Sequence, residues 1–400
     1  MTDEATLFAE VDPEFEESIR IDRDLNATTE TERRRQRYQE YLDPYYLTDA
    51  SVNFLEDLFD HIRDDSPEPD ERNHWLYGYY GSGKSHLLTA LDLLLDTEGI
   101  EEDTASRDRS SVWTRFDSAD EQPVLGKIWD TMHEEVMIVP LSINLLRYQS
   151  VREQTFSEII LQSIYQERGF AGRLDVAFFE EEFKRPGGLY DTRPYWEDRQ
   201  RHLNEILAEE GVANPEYTWD HVREYRILSD IVLEGLTERA TGMTANLEDI
   251  QSRNVGQELA VQKIESYRQQ LEAEHDRPVK IVLLIDEVTL FIGGNYQRLS
   301  ELNALAESIS DIGQGNIISV VTAQSQIEDV QPGLATKQLD FGILKDRFPQ
   351  QYELPSQHVG EIVQQRLLAK SPQGTEWVQD EALTGSVHPD TMLVYSEVGQ

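Results

Sequence analysis

Four short runs of mostly apolar residues stand out from a chain whose other apolar residues largely recur at helical spacing. The runs cover residues 74–78, 136–143, 280–287 and 316–322, and a weaker one covers 350–354. Runs this short and this continuous predict strands that are covered on both faces. Because helical segments separate the runs, we expect an α/β fold with a parallel five-stranded sheet.

Apolar residues three or four positions apart predict the helices between these strands. The longest helical stretch, residues 151–275, lies between the second and third strands, so we expect a large helical insertion there. Residues 97–122 are acidic, rich in serine and poorly periodic, which favours a flexible insertion. The clearest helices are predicted at 28–41, 52–62, 85–96, 154–167, 195–210, 218–239, 247–274, 298–309 and 357–370.

This pattern predicts five regions along the chain. We expect an α/β core in two parts, with the helical insertion between them. The chain ends at Gln400, soon after the first helix of an expected lid, and we expect it to be a fragment that stops within that lid. The regions are 1–70 (N-terminal helices), 71–150 (first part of the core), 151–275 (insertion), 276–356 (second part of the core) and 357–400 (start of the lid).

The first apolar run leads into a glycine-rich sequence, Gly78-Tyr-Tyr-Gly81-Ser82-Gly83-Lys84-Ser85. It matches G-x-x-x-x-G-K-[ST], the Walker A motif, with a strand expected before it and a helix after it. Glycines let backbone N–H groups surround phosphates, the lysine adds positive charge, and the serine hydroxyl suits Mg²⁺. The alternative is a glycine turn with a surface lysine. The predicted nucleotide-binding residues are Gly78, Gly81, Ser82, Gly83, Lys84, Ser85 and His86.

The run at 280–287 ends in two adjacent carboxylates, Asp286 and Glu287. Charge at the end of a buried strand is costly unless it is paired, and a metal ion would compensate it. We interpret Asp286 as the Walker B acid, which with Ser85 holds Mg²⁺, and Glu287 as the base that orients or deprotonates an attacking water. Adjacent Asp and Glu are typical of ATP-hydrolysing proteins of the additional-strand P-loop class. The alternative, a strand end without a metal, is disfavoured by the Walker A motif.

Two further candidates follow from position alone. A polar residue at the end of the strand 316–322 is expected to contact the γ-phosphate or the attacking water, with Thr322 the first choice and Gln324 the second; the alternative is an ordinary strand end. Arg347 stands just before the fifth strand, where an arginine finger would reach a neighbouring subunit's γ-phosphate. The alternative for Arg347 is a local salt bridge with Asp346 or Asp340.

Composition limits the classes of function. The 400 residues carry 77 acids against 36 basic residues, a formal net charge of -41, and few of the basic residues are lysines. Such a balance is typical of salt-in halophiles, in which screening removes much of the self-repulsion; the alternative is an acidic protein with a basic partner. Without cysteine, disulfides and thiolate zinc sites are excluded. No apolar stretch approaches bilayer length and the acidic start is unlike a signal peptide, so we expect a cytoplasmic protein without membrane contact.

An arginine cluster at positions 33–35 and 37 interrupts this acidic character. It predicts either a solvated helix face or a contact with nucleic acid or a protein partner. The overall charge argues against generic duplex-DNA binding, which needs a basic footprint. At molar salt counterion release contributes little affinity, so DNA remains a possible partner through shape or through other proteins.

The motifs together resemble the large P-loop ATPases of BREX phage-defence systems, the BrxC/PglY type. The resemblance rests, in order along the chain, on residues 78–88, 284–293, 320–330, 340–348 and 359–370. It implies a P-loop NTPase of the AAA+ or additional-strand class that hydrolyses ATP with Mg²⁺, forms homo-oligomers, works with other BREX components against phage and acts around DNA. Proteins of this type are much longer than 400 residues, and the second sensor arginine of their lid is not assignable here.

Two other functions stay open at this point. A nucleotide-gated scaffold would bind ATP and barely hydrolyse it, although Glu287 argues for hydrolysis. An origin-recognition or helicase-loader ATPase of the same fold would carry a winged-helix domain after the lid. Transporter ATPases are disfavoured because no Leu-Ser-Gly-Gly-Gln sequence occurs, and P-loop kinases because the two acids are adjacent.

Overall fold

The computed structural model describes residues 30–64, 72–104, 109–116, 119–148, 154–185, 192–212, 217–242, 255–293, 295–327 and 344–355. These residues form two compact units. The first lies within residues 1–146, 277–294 and 318–400, and the second within 147–276 and 295–317. The first unit is α/β and the second is helical. The predicted lid helix at 357–370 lies outside the described residues.

The α/β unit is built around a five-stranded, all-parallel sheet. This confirms the predicted α/β class with a parallel five-stranded sheet. The strand order is β2-β3-β4-β1-β5. Every residue of β3 and of β4 is buried, as their continuous apolar runs require. The strands are β1 (Asn73–Tyr77), β2 (Met137–Asn144), β3 (Val279–Asp286), β4 (Ile317–Ala323) and β5 (Gln350–Glu353).

Parallel pairing sets which residues meet at the carboxyl edge of the sheet. Asn144, the last residue of β2, pairs with Asp286, the last of β3. Thr322 in β4 pairs with Leu76 in β1, one residue before β1 ends. The segments that follow β1, β2, β3 and β4 therefore leave the sheet at one edge.

Of the helices in the α/β unit, those predicted at 52–62 and 85–96 are confirmed, whereas the helix at 123–135 was not predicted. In α2 the apolar residues at the predicted spacing are buried, and the Thr48 hydroxyl caps its first turn by accepting from the Ser51 N–H at 3.3 Å. Residues 38–42 form a turn of π-helix between α1 and α2. These helices are α1 (Glu30–Arg37), α2 (Asp49–Arg63), α3 (Lys84–Leu95), α4 (Thr97–Thr104), α5 (Ser110–Trp113) and α6 (Pro123–Glu135).

The prediction of a flexible insertion at 97–122 is wrong for the residues that the structure describes there. Two helices, α4 and α5, occupy this stretch, and Ile100, Trp113 and Phe116 belong to the hydrophobic core. The Trp113 ring lies 6.0 Å from the ring of Trp129 in α6. Periodicity failed here because each helix is too short to repeat its apolar face more than once.

The arginine cluster joins α1 to the α/β unit. Arg37 donates to the buried carboxylate of Asp92 in α3 at 2.8 Å. Arg34 donates to the carbonyl oxygen of Gly99 at 2.7 Å and lies 3.3 Å from the Asp96 carboxylate. At these two positions the arginines anchor a helix, a role that neither the solvated-face nor the nucleic-acid interpretation included.

The helical unit contains eight α-helices among the described residues. Two predicted helices, 195–210 and 218–239, are each divided in two, because the chain leaves helical geometry at Asp198 and at Tyr225. The eight helices are α7 (Phe156–Glu167), α8 (Leu174–Lys184), α9 (Arg193–Glu197), α10 (Arg199–Glu209), α11 (Trp219–Glu224), α12 (Arg226–Thr241), α13 (Gln257–His275) and α15 (Tyr296–Gly313). The short helix α14 (Val288–Ile292), which precedes α15 in the chain, belongs to the α/β unit. Residues 145–148, where the chain passes from one unit to the other, form a turn of 3₁₀ helix.

A buried carboxylate organises part of the helical unit. Glu180 in α8 is fully buried and accepts from the Trp219 indole N–H at 2.6 Å and from Arg223 at 2.7 Å. It also accepts from the backbone N–H of Ala171 at 2.8 Å. A buried charge is tolerated only when it is paired and hydrogen-bonded in this way.

Among the residues that the structure describes, no helix combines the length and the apolar character needed to cross a bilayer.

We expect Glu180→Ala to lower the free energy of unfolding by about 3 kcal/mol, because Arg223 and the Trp219 N–H lose a buried partner. Chemical denaturation of the purified protein measures this. Glu197→Ala is the matched control, since Glu197 forms an exposed pair with Arg193 and its loss should cost less than about 1 kcal/mol. Equal effects of the two variants would contradict the role of Glu180.

Candidate functional site

The glycine loop, residues 78–83, connects the end of β1 to the start of α3. Gly81 and Gly83 adopt φ values of 82° and 87°, a left-handed conformation that favours glycine. The loop is fixed at its first residue, because the Gly78 N–H donates to the carbonyl oxygen of Ala323 at the end of β4, at 3.3 Å. The strand, loop and helix thus follow in the order that the Walker A motif predicts.

Lys84 begins α3 and folds back over the loop. Its ammonium group donates to the carbonyl oxygens of Gly78 and Tyr79 at 2.7 and 3.0 Å. The side chain is buried, and burial lowers the pKa of Lys84, while the carboxylates of Glu287 and Asp286 oppose this shift. The structure therefore brings the predicted lysine and the two predicted acids into one electrostatic cluster.

Glu287 has an unusual backbone. It follows β3 with φ 63° and ψ 39°, a left-handed conformation that costs a residue with a Cβ about 1 kcal/mol. The other described non-glycine residues with positive φ, Asp276 and Gln314, follow helix ends, where this conformation is common. Glu287 instead lies between a buried strand and a short helix. A strained backbone at such a position persists only where surrounding contacts hold it.

Thr322 supplies such a contact. Its buried hydroxyl accepts a hydrogen bond from the Glu287 backbone N–H at 2.9 Å and donates one to the carboxylate of Asp286. A single side chain of β4 therefore connects both acids at the end of β3. The position of Thr322 at the end of an apolar run predicts a functional residue, but no pattern in the sequence identifies these partners.

The Glu287 carboxyl is tuned by its surroundings. Burial raises the pKa of Glu287, and the neighbouring Asp286 raises it further. Lys84 and a hydrogen bond with the Gln324 side chain lower this pKa to a smaller extent. Glu287 Oε2 is buried and has no hydrogen-bond partner among the described residues. A carboxylate with a raised pKa is a better proton acceptor than an ordinary glutamate.

The remaining loop residues have different surroundings. Ser85 is partly exposed in the first turn of α3, and its carbonyl oxygen accepts from the Thr89 hydroxyl at 2.8 Å. Ser82 Oγ is buried and has no hydrogen-bond partner within the described part of the chain. The His86 ring bonds to the carbonyl oxygen of Tyr41 at 2.7 Å, and its centre lies 4.9 Å from the Tyr45 ring, so it contacts the N-terminal segment.

Arg347 lies near the amino end of β5, whereas the cluster lies at the carboxyl ends of the strands. It ends a short helical turn, residues 344–347, just before the amino end of β5. The glycine loop follows the carboxyl end of β1, and β1 and β5 are parallel. Phe348, the next residue, packs against Trp75 in β1 with ring centres 5.5 Å apart. Asp340, one predicted partner of Arg347, lies outside the described residues.

Asn144 also lies at this edge, and no sequence pattern predicted it as a site residue. It ends β2 beside Asp286, is buried, and its side-chain oxygen accepts from the Leu146 N–H at 3.0 Å. The available signal was an asparagine at the end of an apolar run. Without the strand register, nothing linked it to Asp286.

Comparison with known proteins adds no identification. No family model matches the chain. No solved structure matches it either.

We expect Gly78→Ala to destabilise the protein by about 2 kcal/mol, because an added Cβ would collide with the backbone oxygen of Leu354 and with Ser82 Oγ. Thermal or chemical unfolding measures the change. Gly256→Ala is the control, since its Cβ would meet no atom within 4 Å. A Gly78→Ala protein as stable as the control variant would show that the loop shifts without cost.

Proposed function

We propose that this protein binds and hydrolyses ATP with Mg²⁺, as a P-loop ATPase of the AAA+ or additional-strand class. The observation that carries the proposal is the cluster of Lys84, Asp286 and Glu287 beside a glycine loop at the carboxyl edge of a parallel sheet. A turn with a surface lysine, the alternative for the motif, does not account for a buried lysine coupled to two buried acids.

The strand order supports the additional-strand class. In that class, an extra strand separates the strand before the phosphate loop from the strand that carries the Walker B acid. Here β4 lies between β1 and β3. Ligands of open α/β sheets bind at the carboxyl ends of such strands.

The residues present fit Mg²⁺. Among the described residues no group of three or more His, Asp or Glu side chains could hold a metal by itself. Mg²⁺ usually takes one or two protein oxygens and completes its shell with waters and substrate phosphates, so Asp286 and Ser85 are a sufficient protein contribution. When bound with ATP, Mg²⁺ would neutralise charge on the β- and γ-phosphates.

The protein's own groups have separate roles in this proposal. Lys84 exchanges its two loop carbonyls for phosphate oxygens, and the glycine loop and the first turn of α3 offer N–H groups to the phosphates. Glu287 orients the attacking water and accepts its proton, for which a raised pKa is suitable. Gln324, whose side chain lowers the pKa of Glu287, helps to hold that water.

The biological setting of the proposal comes from the resemblance to BREX ATPases. In that setting the protein forms homo-oligomers, Arg347 completes the site of a neighbouring subunit, and other BREX components are its partners in the cytoplasm. The separation of Arg347 from the carboxyl edge of its own sheet is the observation that favours action on a neighbour.

We expect Glu287→Gln to bind ATP about as well as the wild type and to hydrolyse it at least about 100-fold more slowly, because the general base is lost. Nucleotide binding and phosphate release in molar KCl measure this. Lys84→Ala should weaken ATP binding at least about tenfold, whereas Lys127→Ala, at an exposed lysine, should change neither.

Two results would contradict these roles. A Glu287→Gln protein with wild-type turnover would exclude Glu287 as the base. A wild-type protein that binds ATP without turnover, alone or with DNA, would favour the nucleotide-gated scaffold.

We expect cells that carry this gene with its neighbouring genes to resist phage infection, and Lys84→Ala to abolish the resistance, because the proposed defence role depends on ATP binding. Plating efficiency of a virus on the two strains measures this, with Lys127→Ala as the control. Equal plating on wild-type and Lys84→Ala cells would exclude the defence role and leave the ATPase proposal standing.

A further inference from the structure

We propose that Thr322 is a positioning residue whose hydroxyl holds Glu287 in its left-handed conformation and so keeps the Glu287 carboxylate beside Lys84. The catalytic importance of this carboxylate position rests on the proposed ATPase function. The contacts themselves do not depend on any ligand.

The hydrogen bonds of Thr322 determine how it can act. A threonine hydroxyl has one proton and two lone pairs. Its proton goes to the Asp286 carboxylate and one lone pair accepts the Glu287 N–H. Thr322 is fully buried. In this arrangement the hydroxyl has no proton left to donate to a phosphate or a water, and its burial shields the remaining lone pair, so it acts through the two acids rather than on the substrate.

The backbone of Glu287 explains why such a contact is needed. A glutamate favours other backbone conformations, and a change of φ and ψ would carry its carboxylate away from the cluster. The hydrogen bond to Thr322 crosses from the end of β3 to β4 and fixes the direction of the Glu287 N–H. The Asp286 side chain is fixed by the same hydroxyl. One side chain therefore forms hydrogen bonds with both proposed functional acids, with the Glu287 backbone N–H and with the Asp286 carboxylate.

Two substitutions separate the hydroxyl from the shape of the side chain. Thr322→Val keeps the volume and removes both hydrogen bonds. Thr322→Ser keeps the hydroxyl and removes a methyl group. A role in packing alone would make serine the more damaging change, whereas the positioning role makes valine the more damaging one.

The first experiment is residue-resolved hydrogen–deuterium exchange on the nucleotide-free protein. We expect Thr322→Val to accelerate exchange of the Glu287 amide by at least about tenfold, with the Ile285 amide of β3 unchanged, and Thr322→Ser to resemble the wild type. Unchanged exchange at Glu287, or equal acceleration at Glu287 and Ile285, would overturn the proposal.

The second experiment measures nucleotide affinity and turnover. We expect Thr322→Val to lower kcat at least about tenfold, with Kd for ADP and for ATPγS within about twofold of wild type, and Thr322→Ser to recover most of kcat. If Thr322 instead contacts the γ-phosphate, Thr322→Val will weaken ATPγS binding and leave ADP binding intact, which would overturn the proposal.

The two experiments keep the proposals distinguishable. A wild-type protein that binds neither nucleotide would end the ATPase proposal, and the amide exchange would still decide whether Thr322 holds Glu287. A protein that hydrolyses ATP with unchanged kcat in Thr322→Val would retain the ATPase proposal and exclude the positioning role.

Discussion

The candidate site depends on one constraint, that β3 is buried along its whole length and ends in charge. A carboxylate in the middle of an apolar strand covered on both faces would be costly, so the two acids occupy the last position of β3 and the position after it. Parallel pairing then brings the ends of β1, β3 and β4 to the same edge. Lys84 supplies positive charge there, and the Thr322 hydroxyl donates a hydrogen bond to Asp286.

The polar groups of this cluster are largely satisfied by the protein itself. Lys84 bonds to loop carbonyls, Asp286 to Thr322, and the Gly78 N–H to the end of β4. Such internal pairing keeps buried charges at tolerable cost and preorganises them. The left-handed backbone of Glu287 is bonded to Thr322 of β4, which links the geometry of the site to the neighbouring positions of β3 and β4.

The formal net charge of -41 is informative about the protein surface and says little about the candidate site. The buried acids Asp92 and Glu180 each have a specific arginine partner, and both pairs hold helices in place. Many other ion pairs, such as that between Arg193 and Glu197, are exposed and contribute little, the less so at high salt. The distinction between buried and exposed acids is therefore more informative about this fold than their total number.

The sequence by itself determined the α/β class, the five strands, the glycine loop and the two acids, because each depends on local patterns of apolar residues, glycines and charges. It misjudged residues 97–122, whose helices are too short for periodicity and are defined by burial of Ile100, Trp113 and Phe116. It also missed Asn144 and the partners of Thr322. Only the tertiary structure decided these, because strand order and register bring together residues that are distant in the chain, and no local pattern encodes which strands become neighbours.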